Sequence, residues 1–163
     1  MQLFCFKFAN NIVSSEGVMN EFTERLDELL KENNLSRLNL ANLINITSTT
    51  LNGYFNKGYF PQIDIAINIA NYFNCSLDYL FALDENIKNT NKNNKPFFEN
   101  FESILKEREL SIAKAMKSLG MSEYNYFRWK NGKYPKTANL LIIAKTFDVS
   151  LDWLVGNKVK EKE

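Results

Sequence analysis

Apolar residues return every three or four positions through most of this chain, the spacing that lines one face of a helix. Phe22, Leu26, Leu29 and Leu30 mark a first helix, and Phe97, Phe101, Ile104 and Leu105 mark an equivalent one later. Leu110, Ala113, Met116 and Leu119 recur at steps of three and predict a short helix that Ser111 can cap. Gly120 follows where a left-handed residue would close it, Met121 offers a buried anchor, and Ser122 offers a new N-cap. The next helix begins at Glu123 and is ended by Gly132 and Pro135. Tyr126 and Trp129 can face inward, which leaves Glu123, Tyr124, Asn125 and Arg128 on or near its outer face, with Lys130 and Lys133 at the exit. Beyond the proline, Leu140, Leu141, Ile143, Ala144 and Phe147 predict a further helix, matched earlier by Ile63, Ala66, Ile67, Ala70 and Phe73. Ser76 and Ser150 can each cap a short last helix, with Asp78 and Asp152 suited to the positive end of its dipole. Sustained strand alternation is absent beyond Phe4 to Phe8, so the expected fold is all-α.

The pattern is written twice. Leu30-Lys31-Glu32 recurs as Leu105-Lys106-Glu107 and Leu35-Ser36 as Leu110-Ser111; further on, Gly58, Pro61, Ile69-Ala70 and Phe73 recur as Gly132, Pro135, Ile143-Ala144 and Phe147. Ser76-Leu77-Asp78-Tyr79-Leu80 then matches Ser150-Leu151-Asp152-Trp153-Leu154. Matches in that order, with a single one-residue gap, indicate two tandem copies of a five-helix domain. The expected division is an arm over 1–18, a first domain over 19–85, a linker over 86–95, a second domain over 96–157 and a charged tail over 158–163.

The linker, NIKNTNKNNK, can bury almost nothing and is expected to be a flexible tether. Ten flexible residues have a root-mean-square span of roughly 17 to 19 Å and a limit of about 33 Å. Two readers so joined could sit about 34 Å apart, in successive major grooves on one side of a duplex. The alternative is a mere spacer between domains docked elsewhere. Met1 to Phe8 suits an edge strand or a dimer-forming arm, or belongs to an upstream start with true initiation at Met19; it stays unassigned. Only seven residues follow Gly156, so a dimer is expected to use the repeats or the arm.

Composition narrows the chemistry. The chain has 163 residues and no histidine, which removes histidine general bases, Ser-His and Cys-His nucleophile pairs, and zinc sites that need imidazole. Cys5 and Cys75 lie far apart and make no metal-ligand spacing; they can form a disulfide, but without an export signal the expectation is reduced thiols in a cytoplasm. No segment is long and apolar enough to span a bilayer. No catalytic residue, metal ligand, cofactor or membrane partner is expected, and the chain is not read as an enzyme.

Two short helices joined by a glycine turn, the second presenting polar and aromatic side chains, have the layout of a helix-turn-helix DNA reader; the alternative is a generic helical hairpin in a core. Leu110-Ser111, Ala115-Met116, Leu119-Gly120-Met121-Ser122, Trp129-Lys130-Asn131-Gly132-Lys133, Pro135, Ala144 and Ser150 to Leu154 together resemble the lambda-repressor/Cro type of helix-turn-helix domain. Copy one matches less closely, through Leu35-Ser36, Leu40-Ala41, Ile44 to Thr47, Pro61, Ala70 and Ser76 to Asp78; Asn45 stands in place of the turn glycine, and one extra residue lies between Ile46 and Pro61. The resemblance implies that Glu123, Tyr124 and Arg128, and in copy one Ser48, Thr49 and Gly53, face the major groove, with Lys130, Asn131 and Lys133 meeting phosphate.

Side-chain chemistry fits unevenly. Arg128 can pair with guanine and Asn125 with adenine, whereas Glu123 is repelled by phosphate yet can accept from cytosine. From Met19 to Glu85 four basic residues face nine acidic ones, a net of −5, whereas Pro96 to Glu163 nets +3. Copy one therefore looks the poorer electrostatic partner. Its uncharged helix, Thr47 to Phe55, could read thymine methyls and phosphates through hydroxyls, or form a protein-contact surface around Leu51, Tyr54 and Phe55. The candidate DNA contacts are Ser122, Glu123, Tyr124, Asn125, Arg128, Lys130, Asn131 and Lys133, with Thr47, Ser48, Thr49, Thr50, Asn52 and Lys57 in copy one. The expected function is a cytoplasmic transcriptional regulator of phage or mobile-element type that occupies an operator as a repressor, binding double-stranded DNA and able to form a homodimer. The alternative is an antirepressor or immunity-type module whose first domain binds another protein. The asparagine-, lysine- and isoleucine-rich composition suits an AT-rich genome.

Overall fold

Each repeat closes five helices over one aromatic and aliphatic core. The computed structural model describes residues 15–85 and 94–156. The first repeat comprises α1 (Ser15–Glu32), α2 (Arg37–Leu43), α3 (Ser48–Lys57), α4 (Ile63–Phe73) and α5 (Leu77–Leu80). The second comprises α6 (Phe97–Glu107), α7 (Ile112–Ser118), α8 (Glu123–Lys130), α9 (Thr137–Thr146) and α10 (Leu151–Val155). The fold is all-α; α1 starts at Ser15, inside the segment expected to be an arm. The Phe4 to Phe8 stretch, Cys5, most of the linker and the charged tail lie outside the described residues.

Local chemistry fixes the helix starts. Ser36, Thr47, Ser76, Ser111, Ser122 and Ser150 stand at N-caps in extended or near-extended conformation, each accepting a backbone N–H from the first turn. Each such cap stabilises its helix by about 1 kcal/mol, which matters for helices of four to ten residues. The two helix-turn-helix elbows share one conformation. Gly120 has φ 64° and Asn45 has φ 61°, and asparagine tolerates that left-handed region better than other residues with a Cβ. The extra residue of copy one lies in α3, whose 10 residues run up to Gly58, whereas the 8 of α8 stop one residue short of Gly132, at the cap Asn131.

One expectation fails on α7. Ala113 is exposed, and the inward stripe is Ile112, Ala115, Met116 and Leu119. Each step of three residues falls about 60° short of a full turn, so a strict period of three drifts off the buried face within three steps.

The cores are filled differently. In the first, Phe22 stacks on Phe81 at 5.1 Å between centroids and meets Tyr54 edge-on at 6.3 Å. In the second, Trp129 stands edge-on to Phe97 and Phe101 at 5.6 and 5.4 Å. Leu26 and Phe81 align with Phe101 and Val155, so the bulky ring has changed places between the first and last helices of the repeat. Both repeats also tie those helices together. Arg25 lies 4.7 Å from the Tyr79 ring centroid and pairs with Glu85. The equivalent Asn100, fully buried, donates from Nδ2 to the carbonyls of Trp153 (2.9 Å), Leu154 (3.3 Å) and Lys95 (3.3 Å). Asn100→Ala is expected to cost about 1 to 3 kcal/mol by leaving those carbonyls short of a donor, measurable by urea denaturation.

The two repeats dock through α5 and α10. Asp78 Oδ1 accepts from the backbone N–H of Leu151 at 2.7 Å, and Asp152 Oδ2 accepts from that of Asp78 at 3.0 Å. Ser150 Oγ donates to Asp78 Oδ2. Both aspartates do serve helix N-termini, but each serves the helix of the opposite repeat. Nearby, the buried Thr137 hydroxyl donates to the Pro61 carbonyl at 2.6 Å. Burial, then the charge of Asp78, pushes the Asp152 carboxyl up to about 6. Burial likewise pushes the free Cys75 thiol beside it up to about 11, which keeps it protonated at neutral pH.

Candidate nucleic-acid interface

The surface of α8 is set by what its inner face is doing. Tyr126 and Trp129 are buried, and the Tyr126 hydroxyl donates to Glu102 Oε1 on α6 at 2.8 Å. Burial and that carboxylate push the phenol up to about 12, so it remains a donor. With those two side chains fixed, Glu123, Tyr124 and Arg128 point to solvent, as do Ser122, Lys130, Asn131 and Lys133, while Asn125 is half-buried. Tyr124 is 68% exposed, with the Arg128 guanidinium 5.8 Å from its ring centroid. Phe127, 48% exposed, stands on the same helix three residues beyond Tyr124. It is not among the candidate contacts named from the sequence, and its offset from Tyr124 by about one turn is the signal that places it on the same face.

Charge on this ridge is available. In the first repeat Arg25 pairs with Glu28 and Glu85, and Asp27 pairs with Lys31 and Arg37. The hydrogen bonds from Lys31 and then Arg37 hold the Asp27 carboxyl below the usual carboxylate range. Among the described residues, no carboxylate lies within ion-pair distance of Arg128, Lys130 or Lys133. The segment from Ser111 to Pro135 holds five basic residues and Glu123 alone as an acid, a net of +4.

The first repeat differs in kind. Ser48, Thr49, Asn52 and Lys57 are exposed on α3. Thr47 and Thr50, also exposed, are engaged with each other at the cap, their hydroxyls 2.8 Å apart. Gly53, aligned with Arg128, is half-buried because the Tyr59 ring lies 3.7 Å from where its Cβ would stand. An aromatic therefore covers the position that an arginine occupies in the second repeat, and Tyr59 itself is 59% exposed. The protein-contact surface expected around Leu51, Tyr54 and Phe55 does not form. Leu51 and Tyr54 are core residues, and Phe55 lies under the Arg37 guanidinium at 3.5 Å. Nor does the net charge of −5 describe this face. From Ser36 to Pro61 there are Arg37 and Lys57 and no acid, because the nine carboxylates sit on α1, at Asp64 and Asp78, and after α5.

Two such elbows, each ending in a capped helix with a locked inner side and a polar outer side, are helix-turn-helix units. The helix-turn-helix family profile matches residues 26–80 and 101–154, and the chain belongs to that family. An uncharacterized HTH-type transcriptional regulator of Rickettsia prowazekii (strain Madrid E) is 33% identical over 75 residues, covering 44% of this chain and 82% of the relative. A second such regulator, from Rickettsia conorii (strain ATCC VR-613 / Malish 7), is 33% identical over 75 residues, covering 44% of this chain and 69% of that relative. No solved structure matches the chain.

Proposed function

We propose that the protein is a sequence-specific DNA-binding transcriptional regulator of phage or mobile-element type, acting in the cytoplasm as a repressor by occupying an operator. The observation that carries this reading is the exposed ridge of Tyr124, Arg128, Lys130 and Lys133, whose cations have no carboxylate partner among the described residues. Free cations on the second helix of the motif are what a polyanion in the major groove requires. Arg128 would pair with guanine, Tyr124 and Phe127 would contact thymine methyls, and Lys130 and Lys133 would neutralise phosphates. The similarity to HTH-type transcriptional regulators points the same way.

The competing reading is a module that binds another regulator through the first domain. Its support is the exposure of Leu38 and Leu43 on α2, at 57% and 55%. Salt separates the two. For DNA, log affinity falls against log salt by roughly 0.9 per phosphate, so Lys57, Lys130 and Lys133 alone give a slope of about −2.7. A slope near zero in a fluorescence-anisotropy titration of a selected duplex would remove the DNA reading.

A further inference from the structure

Resting on the DNA reading above, we infer that one chain acts as a built-in dimer, engaging a single bipartite operator whose two half-sites have matched geometry and unlike sequence. Reciprocal contact of the repeats is the first support. Residues 77 and 78 are the counterparts of 151 and 152: Asp78 accepts from the Leu151 N–H at the start of α10, and Asp152 accepts from the N–H groups of Leu77 and Asp78 at the start of α5. A contact in which i meets j while the counterpart of j meets the counterpart of i is the mark of an approximate two-fold axis. Both repeats build their elbows from a hydroxyl cap, Thr47 or Ser122, and a residue in the left-handed region, Asn45 or Gly120. The operation that exchanges α5 with α10 therefore also exchanges α3 with α8. Two reading helices related by a two-fold axis match the symmetry of duplex DNA, which is how separate subunits address paired half-sites.

The reading helices themselves break the symmetry. Position by position, Ser48, Thr49, Asn52 and Gly53 face where Glu123, Tyr124, Phe127 and Arg128 face on the other side. One half offers hydroxyls, threonine methyls and an amide, chemistry that suits thymine methyls and the adenine edge. The other offers a guanidinium for guanine beside two aromatic rings. The acid-free stretch from Ser36 to Pro61 lets the first half approach phosphate despite the acidity of its domain. A palindrome would waste one of the two helices.

The test is selection of duplexes by the full chain from a random pool, followed by footprinting and a mass measurement of the complex. The expected result is one chain per site and two unlike half-sites at fixed spacing. Thr49→Ala would alter preference in one half only and Arg128→Ala in the other only. Inserting about five base pairs between the halves turns one to the opposite side of the duplex and should lower affinity about tenfold or more. Two chains on a symmetric palindrome, one protected half-site, or tolerance of the insertion would each overturn the built-in dimer and leave the DNA reading standing. Failure to enrich any duplex would overturn both.

Discussion

Replacing Arg128 and Lys133 together by alanine is expected to weaken binding of the selected duplex by about 30- to 1000-fold near physiological salt. The magnitude has two parts. A bidentate arginine–guanine pair discriminates by about 1 to 3 kcal/mol, and one neutralised phosphate contributes about 1 kcal/mol at that salt. Their sum, about 2 to 4 kcal/mol, converts to that range. Both side chains are exposed and neither has a carboxylate partner among the described residues, so the fold should be indifferent to their loss. Circular dichroism of the variant should overlay that of the parent. Lys133→Ala alone should also reduce the salt slope by about 0.9 while leaving base preference intact, whereas Arg128→Ala should relax preference at one base pair. Undiminished affinity of the double variant in a gel-shift series would mean that DNA lies on another surface.

The sequence disclosed the architecture because local rules carry it. Capping hydroxyls precede six helices, and the apolar period gives the inner faces. The duplication let the clearer copy explain the weaker one, so that Asn45 can be understood as standing in for Gly120. The outer face of α8 was legible because Tyr126 and Trp129 are too large and apolar to leave outside. Four features were not legible. Ala113 was misplaced because steps of three mimic a helical face over only two steps. Leu51, Tyr54 and Phe55 were open to two interpretations, since an aromatic in a short helix can fill a core or offer a contact, and only packing against α1 and Arg37 decides. The domain total of copy one says little about its outer face, because the field at a groove depends on where the nine carboxylates sit. The docking of the repeats escaped because Asp78 and Asp152 each satisfy a local capping argument. Their true partners lie 73 and 74 residues away, a separation no periodicity can report.

The same pair of aspartates makes docking depend on pH, with a sign opposite to ordinary acid denaturation. In an undocked repeat the Asp152 carboxyl would face water and titrate near 3.8, whereas in the docked chain it titrates at about 6. A carboxyl whose pKa is raised on docking binds its proton more tightly when docked, so association is favoured below about pH 4 and loses strength as pH rises through 6. The rise from 3.8 to about 6 corresponds to about 3 kcal/mol. The groups facing Asp152 are the Asp78 carboxylate, the backbone N–H groups of Leu77 and Asp78, and the protonated Cys75 thiol. None of these is a cation that could hold a second negative charge in place. Asp152→Asn keeps an oxygen to accept from the Asp78 N–H and supplies an amide hydrogen where the carboxylic acid carried its proton. It should therefore behave as the protonated form at every pH. Thermal unfolding of parent and variant from pH 4 to 8 is the direct check, because titrations common to both cancel in the difference. The variant should exceed the parent by only about 1 kcal/mol at pH 4.5 and by up to about 3 kcal/mol at pH 7.5. If instead the two curves stay parallel across that window, Asp152 does not carry the proton that couples the repeats.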